Sequence, residues 1–173
     1  MPQTMGIGTL GSPGTVFKMK FRWLLTFIDT NGTAIGDINA LPPAEGSRPH
    51  LDFKEESIEH ISETIWFPVK PDWKPVNLIL YDIKSKENPI VEWLKHIYNA
   101  QKGSWQAHLG SNQYKKEARL KLFDGCGCAL EEWVYENAYP SSVNFGSLDM
   151  ASSELVKIDI TLRYDRAYVL ELA

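Results

Sequence analysis

Between Val156 and Asp165 the chain alternates without a break. Val156, Ile158, Ile160, Leu162 and Tyr164 are apolar, and Lys157, Asp159, Thr161, Arg163 and Asp165 are polar. A period of two belongs to a β-strand with one buried and one wetted face; a helix would spread these side chains around its whole circumference. Ahead of it, Arg119–Asp124 and Ala129–Glu136 flank Gly125-Cys126-Gly127-Cys128, which predicts a β-hairpin with glycines where the backbone turns sharply. Pro140, the serines at 141 and 142 and Gly146 then predict a long irregular connection over Asn137–Asp149. The C-terminal third is therefore expected to be a three-stranded antiparallel unit, and the rest of the chain must pack on it.

Residues 1–16 hold four glycines, two prolines and no charge, and are expected to form a flexible N-terminal arm. Met5, Ile7 and Leu10 give that arm apolar groups that could order against a neighbour. A single β domain is expected over 17–173. Phe17, Met19, Phe21, Trp23 and Leu25 alternate with Lys18, Lys20 and Arg22, so a long strand begins there, and from Leu24 both faces are apolar. Asn31-Gly32 signals a turn, and Gly36–Pro49 reads as a loop. In His50–Phe67, Ile58, Ile61 and Ile65 stand at helical spacing, but Ile58 and Thr64–Phe67 have strand character; two strands with an irregular middle are favoured over a helix. Three prolines make Pro68–Pro75 a non-helical bend. Val76–Asp82 is a strand. Asn88 as N-cap, Pro89 at the first helical position and the stripe Ile90, Val91, Trp93, Leu94, Ile97, Tyr98 predict a helix of three to four turns, with Gly103 ending it. About seven strands and one helix make a mainly β fold: an antiparallel β-sandwich or small β-barrel flanked by an α-helix.

Charge and composition narrow the function. With 22 acidic against 18 basic residues the net charge is −4, and the basic residues are scattered, which disfavours holding nucleic acid by attraction. No apolar run is long enough for a membrane span, and Met1–Val16 lacks the features of a secretory signal, so a cytoplasmic product without a membrane anchor is expected. Cys126 and Cys128 supply two soft ligands where a structural zinc site needs four, and reduced thiols at a hairpin end are the expected state. Gly6-Ile7-Gly8 with Gly11 spells G-x-G-x-x-G but lacks the preceding strand and following helix of a dinucleotide site. Glu131 and Glu132 would point to opposite faces of a strand, one exposed and one toward an interface, and so could not form a catalytic pair. No catalytic residue, cofactor or metal site is expected. The six tryptophans read as core or interface anchors.

Arg48-Pro49-x-Leu51, Ile65-Trp66-Phe67-Pro68, Trp73-x-Pro75-Val76-x-Leu78-x-Leu80-Tyr81-Asp82 and Glu92-Trp93 follow one another in an order that resembles the tail tube proteins of contractile-tailed bacteriophages. Trp133, Asn137-Ala138-Tyr139-Pro140, Asn144-Phe145-Gly146-x-Leu148-Asp149 and the final alternation continue the likeness, which spans roughly Arg48 to Tyr168. The resemblance implies a fold similar to the type VI secretion tube protein, hexameric rings stacked into a rigid inner tube, a tail sheath outside, and baseplate and terminator proteins at the ends. It implies a structural protein of the virion tail, assembled in the host cytoplasm, whose lumen conducts DNA without binding it specifically. Met5, Ile7, Leu10, Arg48, Trp73, Asn144 and Phe145 are then candidate subunit-interface residues. Lys157, Asp159, Arg163 and Asp165 are candidates to face the lumen or an interface. The acidic balance suggests a lumen that repels DNA and lets it slide. Two other readings stay open: a tube initiator or terminator at the baseplate or head end, and a small-ligand-binding β-barrel.

Overall fold

A computed structural model describes residues 18–29, 41–84, 88–106 and 114–170. Its elements, in order, are β1 (Trp23–Ile28), β2 (Pro43–Gly46), β3 (His50–Glu59), β4 (Thr64–Lys74), β5 (Val76–Tyr81), α1 (Pro89–Lys95), β6 (Tyr98–Asn99), β7 (Ser104–Trp105), β8 (Lys116–Phe123), β9 (Ala129–Asn144), β10 (Lys157–Arg163) and β11 (Arg166–Leu170). The strands pair in the order β1-β8-β9-β10-β5-β2, and all these pairings are antiparallel. β9 is the spine. Its first half is flanked by β8 on one side and β11 on the other, and its second half pairs with β10.

The alternation in β10 does what its period dictates. Ile158, Ile160, Leu162 and Tyr164 are buried, while Lys157, Asp159 and Arg163 are exposed. They meet Val76, Leu78 and Leu80 of β5, and Phe27, Ala118, Leu120, Tyr135 and Ala167 from the other strands, in one core. Each fully buried isoleucine contributes about 1.5–3 kcal/mol. The sheet curls so that its edge strands β1 and β2 come together through a side chain: a Cβ on Gly46 would lie 2.9 Å from the Trp23 ring. The void left at the centre, among Trp23, Leu78, Tyr135 and Leu162, is about 10 Å³. That is far below the hundreds of cubic ångströms of a ligand cavity, so the interior gives no support to a small-ligand barrel.

α1 packs across this body. Asn88 caps it by accepting from the Ile90 amide at 3.0 Å, and Ile90 and Trp93 are buried. The Trp93 indole donates to the Tyr114 carbonyl at 2.6 Å and meets Phe27 edge-on at 5.2 Å. No described helix is long and apolar enough to cross a membrane.

Several expectations are corrected. The helix is two turns, not three to four: the chain leaves it at His96, and Tyr98–Asn99 pairs with Ser104–Trp105. Gly103, at φ 60°, serves that small hairpin instead of ending the helix. Pro140 does not break β9, which runs unbroken to Asn144. It sits beside the register shift at Thr161/Leu162, beyond the end of the β8 pairing, where no ladder donor is demanded of it. Pro68 and Pro71 likewise lie within β4, a strand that among the described residues pairs with β3 alone, so their missing amides cost little. The β2 strand lies inside the expected loop. Within the first expected strand, residues 18–22 are not strand, and Leu24 is exposed, not covered. Phe17, the Asn31-Gly32 turn and the N-terminal arm lie outside the described residues. Over His50–Phe67 two strands with a turn between them do replace the helical alternative, and the second runs on through the expected bend to Lys74.

Candidate assembly surface

The longest feature outside the core is a two-stranded arm. Ten register pairs join β3 to β4, from His50↔Lys74 at the root to Glu59↔Thr64 at the tip, and neither strand belongs to the main sheet. The root is fastened to the body by aromatic packing. Trp73 lies 6.0 Å from Tyr164, which meets Tyr135 edge-on at 5.1 Å, and Tyr135 donates to the Ser47 carbonyl at 3.3 Å. Burial pushes both tyrosine hydroxyls up from their ordinary pKa. On the arm's other face Asp52 and Asp72 stand directly opposite each other, with Lys74 bridging them at 3.3 and 2.8 Å and His50 within 2.9 Å of Asp52. The hydrogen bond and charge of Lys74 hold the Asp72 carboxyl below its usual value, and Asp72 in turn raises the Lys74 ammonium.

Beyond the root the arm is exposed over residues 53–71, and none of the described elements packs on it. A register shift between Lys54 and Glu55 divides it. Strand alternation then puts Phe53, Pro71 and Trp66 on one face and Ile58, Ile65 and Phe67 on the other. Phe53, Ile58, Trp66 and Val69 are more than half exposed, and Ile61 at the tip is fully so. An isolated two-stranded ribbon is marginal in water, and this one carries apolar groups outward on both faces. Exposed apolar surface of this kind marks a site of interaction.

The arm also carries most of the chain's charge imbalance. Six acids (Asp52, Glu55, Glu56, Glu59, Glu63, Asp72) against three lysines give it −3 of the chain's −4. The outward face of the main sheet around β8 and β9 is instead paired off. Arg119 bonds Glu117 at 2.6 Å, Lys121 reaches Glu132 at 3.2 Å, and Arg166 bonds Glu136. The acidic surplus therefore sits on the arm and not on this face.

Glu131 and Glu132 do point to opposite sides, but neither is exposed, contrary to expectation: both are under a tenth accessible. Glu132 is covered by Arg119 and Lys121, whereas Glu131 accepts from Lys18 and from the Trp133 indole and has Arg48 at 3.5 Å. Each buried carboxylate is held by two cations, the condition under which burial of a charge is tolerated.

The expected interface residues are scattered. Arg48 is exposed beside Glu131, Trp73 is half-buried against the core at the arm's root, and Asn144 and Phe145 lie at the opposite end of the main sheet. There Phe145, Leu148, Met150 and Leu155 are exposed, and the last three line one open groove. The Asn144 side chain accepts from the Gly146 amide at 3.1 Å, and Gly146 is at φ 79°, where an added Cβ would strike the Lys157 carbonyl at 2.7 Å. Lys157, Asp159 and Arg163 share the exposed face of β10; Asp165 stands apart in the bend before β11, bonded to Lys115 and Asn137. Met5, Ile7 and Leu10 lie outside the described residues. The arm as a whole escaped the sequence reading because its prolines masked a continuous strand. Cys126 and Cys128 are exposed and free in the β8–β9 turn, and among the described residues no three of His, Cys, Asp and Glu converge as metal ligands would.

No family model matches the sequence, and no curated protein does. Solved structures share the fold. A chain of the anti-feeding prophage cap, the tube-terminating cap, aligns with TM-score 0.70 at 20% identity over 90% of this chain and 92% of that one. A chain of the sheath–tube complex of an extracellular contractile injection system, PVC, in its extended state aligns with TM-score 0.66 at 16% identity over 98% and 100%. The SPP1 tail tube aligns with TM-score 0.56 at 12% identity over 88% and 78%. At such identities the likeness is one of fold. It is the fold expected from the tail-tube resemblance.

Proposed function

We propose that this chain is a structural subunit of the inner tube of a contractile tail or injection apparatus, assembling as homohexameric rings that stack inside a sheath between a baseplate and a terminator. The observation that carries this reading is the β3–β4 arm, built as a paired ribbon and left apolar on both faces, in a fold shared with tube and cap components. Two further edges suit lateral assembly. β1 and β11 close the two ends of a four-stranded run, β1-β8-β9-β11, and among the described residues each has one unpaired side. Joining β11 of one copy to β1 of the next would continue the sheet around a ring, and a heterologous contact of that kind closes or propagates according to its rotation angle. Passage of DNA through the lumen, in the manner of a phage tail, belongs to this proposal.

The test is electron microscopy with sedimentation velocity on the purified chain. Rings or tubes are the expected result; a monomer at every concentration from micromolar to millimolar would remove the reading. A terminal role is the second reading, favoured by the likeness to the cap structure. Copy number in assembled particles separates the two: many rings per particle for a main tube, one or two for a terminator.

The exposed apolar side chain of Phe145 belongs to the same reading. Phe145→Asp replaces an exposed aromatic outside the buried core, so the unfolding free energy should change by no more than about 1 kcal/mol while ring or tube yield falls. Normal tube formation by this variant would take Phe145 out of the interface.

A further inference from the structure

The chain has two cysteines, and both fall in the turn that joins β8 to β9. Phe123 pairs with Ala129, so Asp124, Gly125, Cys126, Gly127 and Cys128 make the whole connection. Both thiols are free and exposed. The backbone that carries them is tied down at several points. The Asp124 amide donates to the Cys128 carbonyl at 2.9 Å and closes the loop, while Asp124 Oδ1 accepts from the amides of Cys126 and Cys128, each at 2.8 Å. At the base of the turn the Phe123 amide donates to the Arg22 carbonyl at 3.0 Å, which fixes the turn to the chain entering β1.

Gly127 permits the reversal between the two thiols. Its φ is 88°, in the left-handed region that glycine enters without steric cost. Cα atoms two residues apart are separated by at most about 7.6 Å, two steps of 3.80 Å, and the bend at Gly127 shortens that span. A single atom bonded to both sulfurs fits within it. The space beside Gly127 is open, since a Cβ there would meet nothing within 4 Å. A Cβ on Gly125, by contrast, would lie 3.1 Å from Arg22 Nη1, so a guanidinium lies against the turn.

Thiolate sulfur is a soft donor, suited to Cu(I), Zn(II) and iron–sulfur clusters. The number of ligands decides among them. Structural zinc and the clusters take four, whereas among the described residues no third His, Cys, Asp or Glu joins this pair. Asp124 Oδ1 is already engaged by two amides. Cu(I), with a filled d shell, is stable between two sulfurs. We propose that Cys126 and Cys128 form a two-coordinate site for a soft monovalent cation, Cu(I). On binding, both thiols release their protons and two S–Cu bonds form, with no electron transferred. Two thiolates and one monovalent cation leave one net negative charge, which the neighbouring Arg22 guanidinium offsets. The site does not depend on the tube reading.

The test titrates Cu(I) under argon into the reduced full chain, in competition with the colorimetric chelator bicinchoninate. One Cu(I) per chain is expected. Cys126→Ser and Cys128→Ser should each weaken binding about a hundredfold, the low end of the gain from joining two binding groups. Their circular dichroism should match the parent's, because the turn is exposed. Gly127→Ala keeps both thiols but strains the left-handed backbone, and should weaken binding about tenfold. Zn(II), two ligands short, should stay with a competing chelator at concentrations where Cu(I) saturates the chain. Parent affinity in either serine variant would overturn the proposal, because the two sulfurs would not be acting together. So would half a Cu(I) per chain, which would place the ion between two copies, or zinc held as tightly as copper, which would require further ligands.

Discussion

A chain carrying Ile58→Lys and Ile65→Glu should fold as the parent does and fail to form rings or tubes. The two isoleucines face each other across the arm, Ile58 57% and Ile65 46% exposed, so neither contributes to the core of its own subunit. Lysine opposite glutamate keeps a favourable cross-strand pair, and the ribbon itself should survive. What disappears is apolar surface available to a neighbour. Burying an isoleucine completely is worth about 1.5–3 kcal/mol; with about half of each already covered, the pair represents about 1.5–3 kcal/mol per contact, roughly tenfold to a hundredfold in association constant, repeated at every contact of an assembly. Sedimentation velocity at concentrations where the parent is fully assembled should show only the monomer. Urea unfolding should place the variant within about 1 kcal/mol of an unassembled parent. Rings at the parent's concentration would show that the arm tip is not an interface.

The contrast between arm and core also marks what the residues alone could reveal. Wherever a strand buries one face of its own subunit, the period-two pattern is strong, and β5, β8 and β10 stand where alternation places them. Where a strand buries neither face in its own subunit, as on the arm, the pattern fails, because no single core selects which positions are apolar. Glu56, Ile58, Ile65 and Phe67 share a face of the arm, and no single-chain logic would pair an acid with three large apolar groups there. Pro68 and Pro71 deepened the disguise. A proline denies a backbone donor, and that rules out a central strand but not a ribbon paired on one side only. Glu131 and Glu132 were missed for a different reason. Their opposite orientation follows from strand geometry, but their burial depends on Lys18, Arg48, Arg119 and Lys121 arriving from other elements. Periodicity carries no information about those meetings. The N-cap at Asn88, by contrast, is a local feature and was legible.

Placement of the charge changes the physical picture of a tube. An acidic chain suggests an acidic bore, yet the arm holds −3 of the net −4, and the broad face around β8 and β9 is cross-linked by ion pairs. Exposed pairs of this kind add little stability, but they leave a surface with little net field. Any surface that packs against the arm in an assembly must therefore offset this acidity, because like charges brought together repel.

Trp93→Ala should have the largest effect on the fold itself. The Trp93 side chain is 1% exposed and is the largest of the fully buried side chains. It ties three elements together: its ring meets Phe27 of β1, its indole nitrogen donates to the Tyr114 carbonyl ahead of β8, and Lys116 lies 5.8 Å over its face. The supporting helix is too short to be stable without tertiary contacts, so its two turns depend on Ile90 and Trp93 being buried. Truncation to alanine should cost about 3–5 kcal/mol, from the lost transfer energy and the cavity left behind, against a total stability of about 5–15 kcal/mol. Trp93→Phe keeps most of the volume and loses the hydrogen bond, leaving the Tyr114 carbonyl unpaired at a cost of about 1–3 kcal/mol. Assembly would hide both losses, since association stabilises whatever it binds by mass action. The measurement therefore belongs in the Ile58→Lys, Ile65→Glu background, as urea unfolding followed by circular dichroism. There alanine should shift the midpoint more than phenylalanine does. A loss below about 1 kcal/mol for alanine, the size of an ordinary surface change, would mean that α1 does not seal the core as its packing requires.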